Sequence, residues 1–206
     1  MEPTYFDYPN GKISITRIDV ERFAPVLKQL KLENICSHIT AARLSNEKAL
    51  LKKSSLDADT TIVPPIHCKI EERVLSGAYH LVFQIVFDDR VRWMLKVPAN
   101  GYQGCWNPSD RTSLELEANT MQYIKARTSI PVPTVYGFNG REGRSNPIGS
   151  PFILMERMPG TQLAYLWFDK ECTSEFREQL RARALQTIAA ALVQLNKFKA
   201  PQSGGL

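Results

Sequence analysis

The chain has 206 residues, 43% of them hydrophobic and 23% charged, with a formal net charge of +5. That apolar content supports a packed core, and the charge is ordinary for a folded domain. No run approaches the ~20 apolar residues of a membrane helix, and the acidic, aromatic start MEPTYFDYPN resembles neither a signal nor a transit peptide. A cytoplasmic location without membrane association is therefore expected. The four cysteines, Cys36, Cys68, Cys105 and Cys172, are widely spaced, and with three histidines in all they make no zinc pattern. The basic residues are scattered, so the positive balance suits a polyphosphate ligand better than nucleic acid.

In chain order, Phe23, Val26, Leu27 and Leu30 predict a helix over Val20–Leu32, with Pro25 near its start, where proline is tolerated. A weaker helix is expected from about Leu32 to Leu44, and the polar stretch 45–61 reads as a helix end and linker. Residues 67–98 read as strands. Leu81, Phe83, Ile85 and Phe87 alternate with Val82, Gln84 and Val86. After a turn at Asp88–Arg90 a further strand is expected from Val91 to Val97. There Val91, Trp93, Leu95 and Val97 share one face, and Arg92, Met94 and Lys96 share the other.

A loop rich in Gly, Pro, Asn and Asp leads to a helix ending near Arg127, capped by Asp110 or Thr112, with Leu114, Ala118, Met121 and Ile124 on one face. A strand is expected near Thr134–Phe138, then a polar loop, NGREGRSNPIG, and a buried strand over Pro151–Met155. The break Met158–Gly160 precedes a long amphipathic helix on which Phe176, Leu180, Ala184, Ile188, Leu192 and Leu195 recur at helical steps.

This order contains the parts of a phosphoryl-transfer lobe. A glycine turn admits phosphate oxygens to backbone N–H groups, a strand lysine supplies charge, and a helix glutamate holds the lysine. The stretches Val74–Pro98, Leu116–Phe138, Asn146–Gly160 and Arg181–Phe198 together resemble the aminoglycoside phosphotransferase-like family, in particular its fungal members, which have a protein-kinase-like fold. The resemblance covers about residues 68–206. It implies an α+β fold, with an antiparallel sheet and an αC-type helix forming an N-terminal lobe. The expected domains are a helical extension and linker (1–66), the lobe (67–158), and the hinge exit with the first helices of a C-terminal lobe (159–206).

The resemblance also assigns roles. Ser76, Gly77 and Ala78 would cover the phosphates. Lys96 would bind them, and Glu117 would pair with Lys96, with Glu115 as the competing acid. Met155 would flank adenine as gatekeeper, and the hinge from Glu156 to Met158 would offer the Glu156 carbonyl and the Met158 N–H to the base. ATP is the implied cofactor, with Mg²⁺ for the whole family domain. The family's base and metal ligands follow the long helix in a His-x-Asp-type loop and a later Asp. Here His38, His67 and His80 all precede the lysine strand, and no aspartate follows Asp169. The chain is therefore expected to be a phosphotransferase domain truncated before its catalytic loop and inactive alone. The alternatives are a non-catalytic nucleotide- or partner-binding module, self-associating through helix 176–198, and a basic nucleic-acid-binding or scaffold domain unrelated to kinases. The acceptor substrate is not legible.

Overall fold

A computed structural model of the chain describes residues 3–53, 66–169 and 171–198. The expected linker lies outside the described residues from position 54 onward. Among the described residues no helix is long and apolar enough to cross a membrane. The fold is α+β with antiparallel sheets, and its residues divide into two compact units. One comprises the described residues of Met1–Ala118 and Thr134–Arg157, the other those of Asn119–Pro133 and Met158–Leu206.

The first unit opens with a β-hairpin that the sequence reading did not anticipate, β1 (Pro3–Tyr8) and β2 (Gly11–Thr16). Its signal is short. Phe6 and Tyr8 alternate on β1, and Ile13 and Ile15 on β2. Two helices follow, α1 (Arg17–Gln29) and α2 (Leu32–Lys53). α1 starts three residues earlier than expected because Thr16 caps it, its hydroxyl oxygen accepting from the Asp19 N–H at 3.3 Å. Pro25 therefore sits inside the helix rather than near its start. Proline there removes a ladder bond and crowds the carbonyl four residues back. The helix persists because Phe23 and Val26 on either side are fully buried. α2 runs well past Leu44, through residues read as helix end and linker.

A second sheet is built from β3 (Cys68–Ile70), β4 (Leu75–Ser76), β5 (His80–Phe87), β6 (Arg92–Pro98), β7 (Val135–Asn139) and β8 (Phe152–Glu156). The spatial order is β3-β5-β6-β8-β7, with β4 also pairing with β5, and every pair is antiparallel. One face carries Leu81, Phe83, Ile85, Phe87, Trp93, Leu95, Val97 and Leu154, all buried. The N-terminal hairpin and helices cover this face with Ile13, Ile15, Phe23, Val26, Ile35 and Ile39 in a single core cluster. Val91, expected on that face, precedes β6 and is exposed. The Tyr8 hydroxyl donates to the Ile70 carbonyl at 3.2 Å and accepts from the Ile70 N–H at 3.1 Å, occupying the free edge of β3.

The stretch 139–149 is the loop its composition suggests, with Arg141, Arg144 and Ser145 exposed, but part of it packs inward. Ile148 and Asn146 are fully buried. The Asn146 amide donates to the carbonyls of Arg141 and Ser150 and accepts from the Ile148 N–H, which satisfies the loop internally. Gly149 has φ +82° and lies so close to the Gln29 carbonyl that a Cβ would fall 2.4 Å from it.

The second unit contains α4 (Leu163–Trp167), which the sequence reading missed, and α5 (Ser174–Leu195), which it anticipated. The Arg181 guanidinium donates to the Trp167 carbonyl and joins the two helices. Phe176, Leu185, Ile188, Leu192 and Val193 of α5 are exposed.

If the N-terminal helices are integral to the core, Phe23→Ala should destabilise the chain by about 3–5 kcal/mol. Replacing the half-exposed Tyr5 by alanine should cost less than about 0.5 kcal/mol. Urea unfolding of both variants checks this.

Candidate functional site

The second face of the sheet carries the candidate site. Strand register places Val82, Lys96 and Ile153 in one row and Gln84, Met94 and Met155 in the next. Facing side chains alternate along each strand, so Lys96, Met155 and His80 emerge on the side away from the N-terminal helices. The other face of β6 is fully buried, which fixes this orientation. A one-residue slip would bring Lys96 into the core.

The helix α3 (Pro108–Arg127) brings the acid to the lysine. Its start is set by Asn107, one turn before the caps proposed from sequence. The Asn107 side-chain oxygen accepts from the N–H groups of Ser109 and Asp110. Asp110 returns the bond by accepting from the Asn107 N–H at 3.2 Å, which makes a reciprocal capping box with Pro108 at the first helical position. Leu114 and Ala118 anchor this half of the helix by burial. Glu117 then lies 2.5 Å from the Lys96 ammonium. Glu115 instead pairs with Arg111 at 2.8 Å. The spacing of two residues decides this, because it puts the carboxylates on different helix faces.

A cavity of about 190 Å³ opens beside the pair, lined among others by Tyr79, His80, Lys96, Trp106, Asp110 and Glu117. His80, Trp106 and Asp110 were not singled out from sequence. For His80 the signal was available, since it follows the glycine turn and is in register with Pro98, on the Lys96 side. Burial lowers its pKa, and the Lys96 charge acts the same way against the opposing pull of Glu117. The Trp106 indole donates to the Gly140 carbonyl and holds the loop before α3.

The other expected residues are not among those that line this cavity. Ser76 ends β4, and its hydroxyl donates to Asp19 at 2.7 Å, on the side of the N-terminal helices. The Gly77 N–H donates to the His80 carbonyl at 2.9 Å and closes the turn. A Cβ at Gly77 would meet only open space. Ala78 follows in the same turn and is exposed. Met155 is half-buried in the row beside Lys96. The Glu156 carboxylate accepts from the Thr134 N–H and hydroxyl, and its own N–H donates to the Thr134 carbonyl. Met158 lies in the second unit and is 37% exposed. Among the described residues no group of three or more His, Cys, Asp or Glu side chains could hold a metal ion.

A family model described as "Phosphotransferase enzyme family" matches residues 71–206, a span that includes the Lys96–Glu117 pair and the cavity. Two subtelomeric hrmA-associated cluster proteins, from two strains of Aspergillus fumigatus, are each 37% identical to the chain over 51 residues. The match spans 25% of this chain and only 10% of each of these relatives.

Two outcomes follow from this geometry. The Lys96 and Glu117 side chains are 18% and 43% exposed, and ion pairs open to water contribute only about 0–1 kcal/mol. Lys96→Met should thus leave the melting temperature within a few degrees of wild type in a thermal melt. His80, with its lowered pKa, stabilises the fold above the unfolded value of about 6.5. That contribution is lost as the pH falls through the lower folded value. His80→Asn should flatten the decline in stability between neutral and mildly acidic pH, read by urea unfolding across that range.

Proposed function

The chain belongs to the phosphotransferase enzyme family, and on that premise we propose that residues 67–158 form an ATP-binding lobe whose phosphate end lies at Lys96. The observation that carries this reading is the Lys96–Glu117 contact at 2.5 Å beside the cavity. A lysine held by a carboxylate at the mouth of a concave site is a fixed positive charge for a polyphosphate. The cavity is smaller than the ~300–1,000 Å³ of whole-ligand pockets, so it takes a phosphate group and not a whole nucleotide. The turn at Gly77–Ala78 leads directly into Tyr79 and His80 of the cavity lining, and on this reading it would cover the phosphates, with Met155 in the neighbouring row of the sheet for the base. Bound ATP would supply the transferable phosphoryl group. Lys96 would neutralise phosphate oxygens, and Glu117 would keep the ammonium in place.

The same reading makes the 206-residue chain a binder and not a catalyst by itself. The family's base and Mg²⁺ ligands have no counterpart in residues 170–206, where no aspartate occurs. The second reading, a non-catalytic nucleotide- or partner-binding module, is favoured by the exposed apolar residues Phe176, Ile188 and Leu192 on α5, through which the chain would self-associate.

Thermal melts with ATP test the binding claim. At ten times its dissociation constant, ATP should stabilise the chain by about 1.4 kcal/mol. Lys96→Ala should weaken ATP binding by about tenfold or more, since a charge-assisted contact is worth about 1.5–3 kcal/mol. An equal shift in both proteins, or none in wild type, contradicts the proposal. Transfer of phosphate from ATP above the uncatalysed background by the purified chain would contradict its inactivity.

A further inference from the structure

The glycine turn is gripped from behind by the first turn of α1. The Asp19 carboxylate accepts from the Ser76 hydroxyl at 2.7 Å, from the Thr16 hydroxyl at 2.6 Å and from the Arg22 guanidinium at 2.8 Å. The same Arg22 nitrogen donates to the Gly77 carbonyl at 2.6 Å. The ring of Phe23 lies under the guanidinium at 4.6 Å and limits its movement. The Asp19 side chain is only 15% exposed. One ion pair from the N-terminal block thus reaches two consecutive residues of the turn.

The geometry of a trans peptide gives this contact a consequence on the other side of the turn. The C=O and the following N–H of a planar trans unit point in opposite directions. With the Gly77 oxygen held by Arg22, the Ala78 N–H must point away from α1. α1 covers one face of the sheet, and Lys96 emerges from the other. A flipped Gly77–Ala78 peptide would instead turn a carbonyl oxygen towards the phosphate end of the site. Such a flip rotates ψ of Gly77, which glycine tolerates, but also carries φ of Ala78 from negative to positive, which a residue with a Cβ resists, so the Arg22 bond reinforces an orientation that Ala78 already favours.

We propose that Arg22, itself set by Asp19, is a positioning residue that locks the Gly77–Ala78 peptide so that the Ala78 N–H is presented to an ATP phosphate. The proposal rests on the nucleotide reading given above. It assigns the N-terminal block a part in binding as well as in the core.

The test uses the full 206-residue chain in three forms, wild type, Arg22→Met and Arg22→Lys. Backbone amide order parameters are measured without ligand, and dissociation constants are measured for ATP and for adenosine. The Ala78 amide should have an order parameter near ~0.85 in wild type and fall below ~0.6 in Arg22→Met. Arg22→Lys, which retains a donor, should lie between. ATP affinity should fall by about tenfold in Arg22→Met with adenosine affinity unchanged, because adenosine lacks the phosphate that the Ala78 N–H would meet. An unchanged Ala78 order parameter in Arg22→Met overturns the brace whether or not ATP binds. Equal losses for ATP and adenosine overturn the phosphate role in favour of a general structural one. If wild type binds neither ligand while the Ala78 amide still loosens, the nucleotide reading fails, and the phosphate role falls with it. The brace itself would then stand.

Discussion

The two-residue period of β6 is the constraint on which the candidate site depends. Trp93, Leu95 and Val97 are buried against the N-terminal helices. Met94 and Lys96 consequently have no choice of side. Burying a large apolar side chain contributes about 1.5–3 kcal/mol, and the buried face carries many of them. A surface ion pair contributes at most about 1 kcal/mol. The core therefore fixes the direction of Lys96, and the Glu117 contact only fixes where its ammonium comes to rest.

The N-terminal block is what makes a two-faced sheet possible. Without Ile13, Ile15, Phe23 and Val26, the apolar face of β5 and β6 would stand open. The same block closes the edge of β3 through the Tyr8 hydroxyl and grips the glycine turn through Asp19 and Arg22. It also meets the buried loop at Gly149, where a side chain would collide with the Gln29 carbonyl. Core packing and the shape of the candidate phosphate end are therefore linked through one helix, α1.

Much of the sheet was legible because its signal is local. The alternation from Leu81 to Phe87 and the Lys96 position follow from a period of two. The choice of Glu117 over Glu115 was carried by resemblance, and its geometry required a helix start that sequence misplaced by one turn. The hairpin β1–β2 went unread because each strand offers only two alternating apolar residues beside a proline and a glycine. The inward packing of part of the loop 139–149 was not legible for a different reason. Its polar atoms are satisfied by its own backbone, so a polar composition coexists with full burial of Ile148 and Asn146. The brace at Arg22 could not be read at all, because it joins residues 55 positions apart through a surface arginine of unremarkable context. α4 was hidden by its length of five residues.

The central claim is that Lys96 meets the phosphates of a bound nucleotide. An ATP analogue carrying a reactive acyl phosphate transfers its acyl group to a lysine lying against the phosphates, and mass spectrometry locates the label. The account predicts labelling of Lys96 in preference to the chain's other lysines, suppressed by excess ATP. Labelling spread over surface lysines, or labelling of Lys96 that ATP does not suppress, would contradict it.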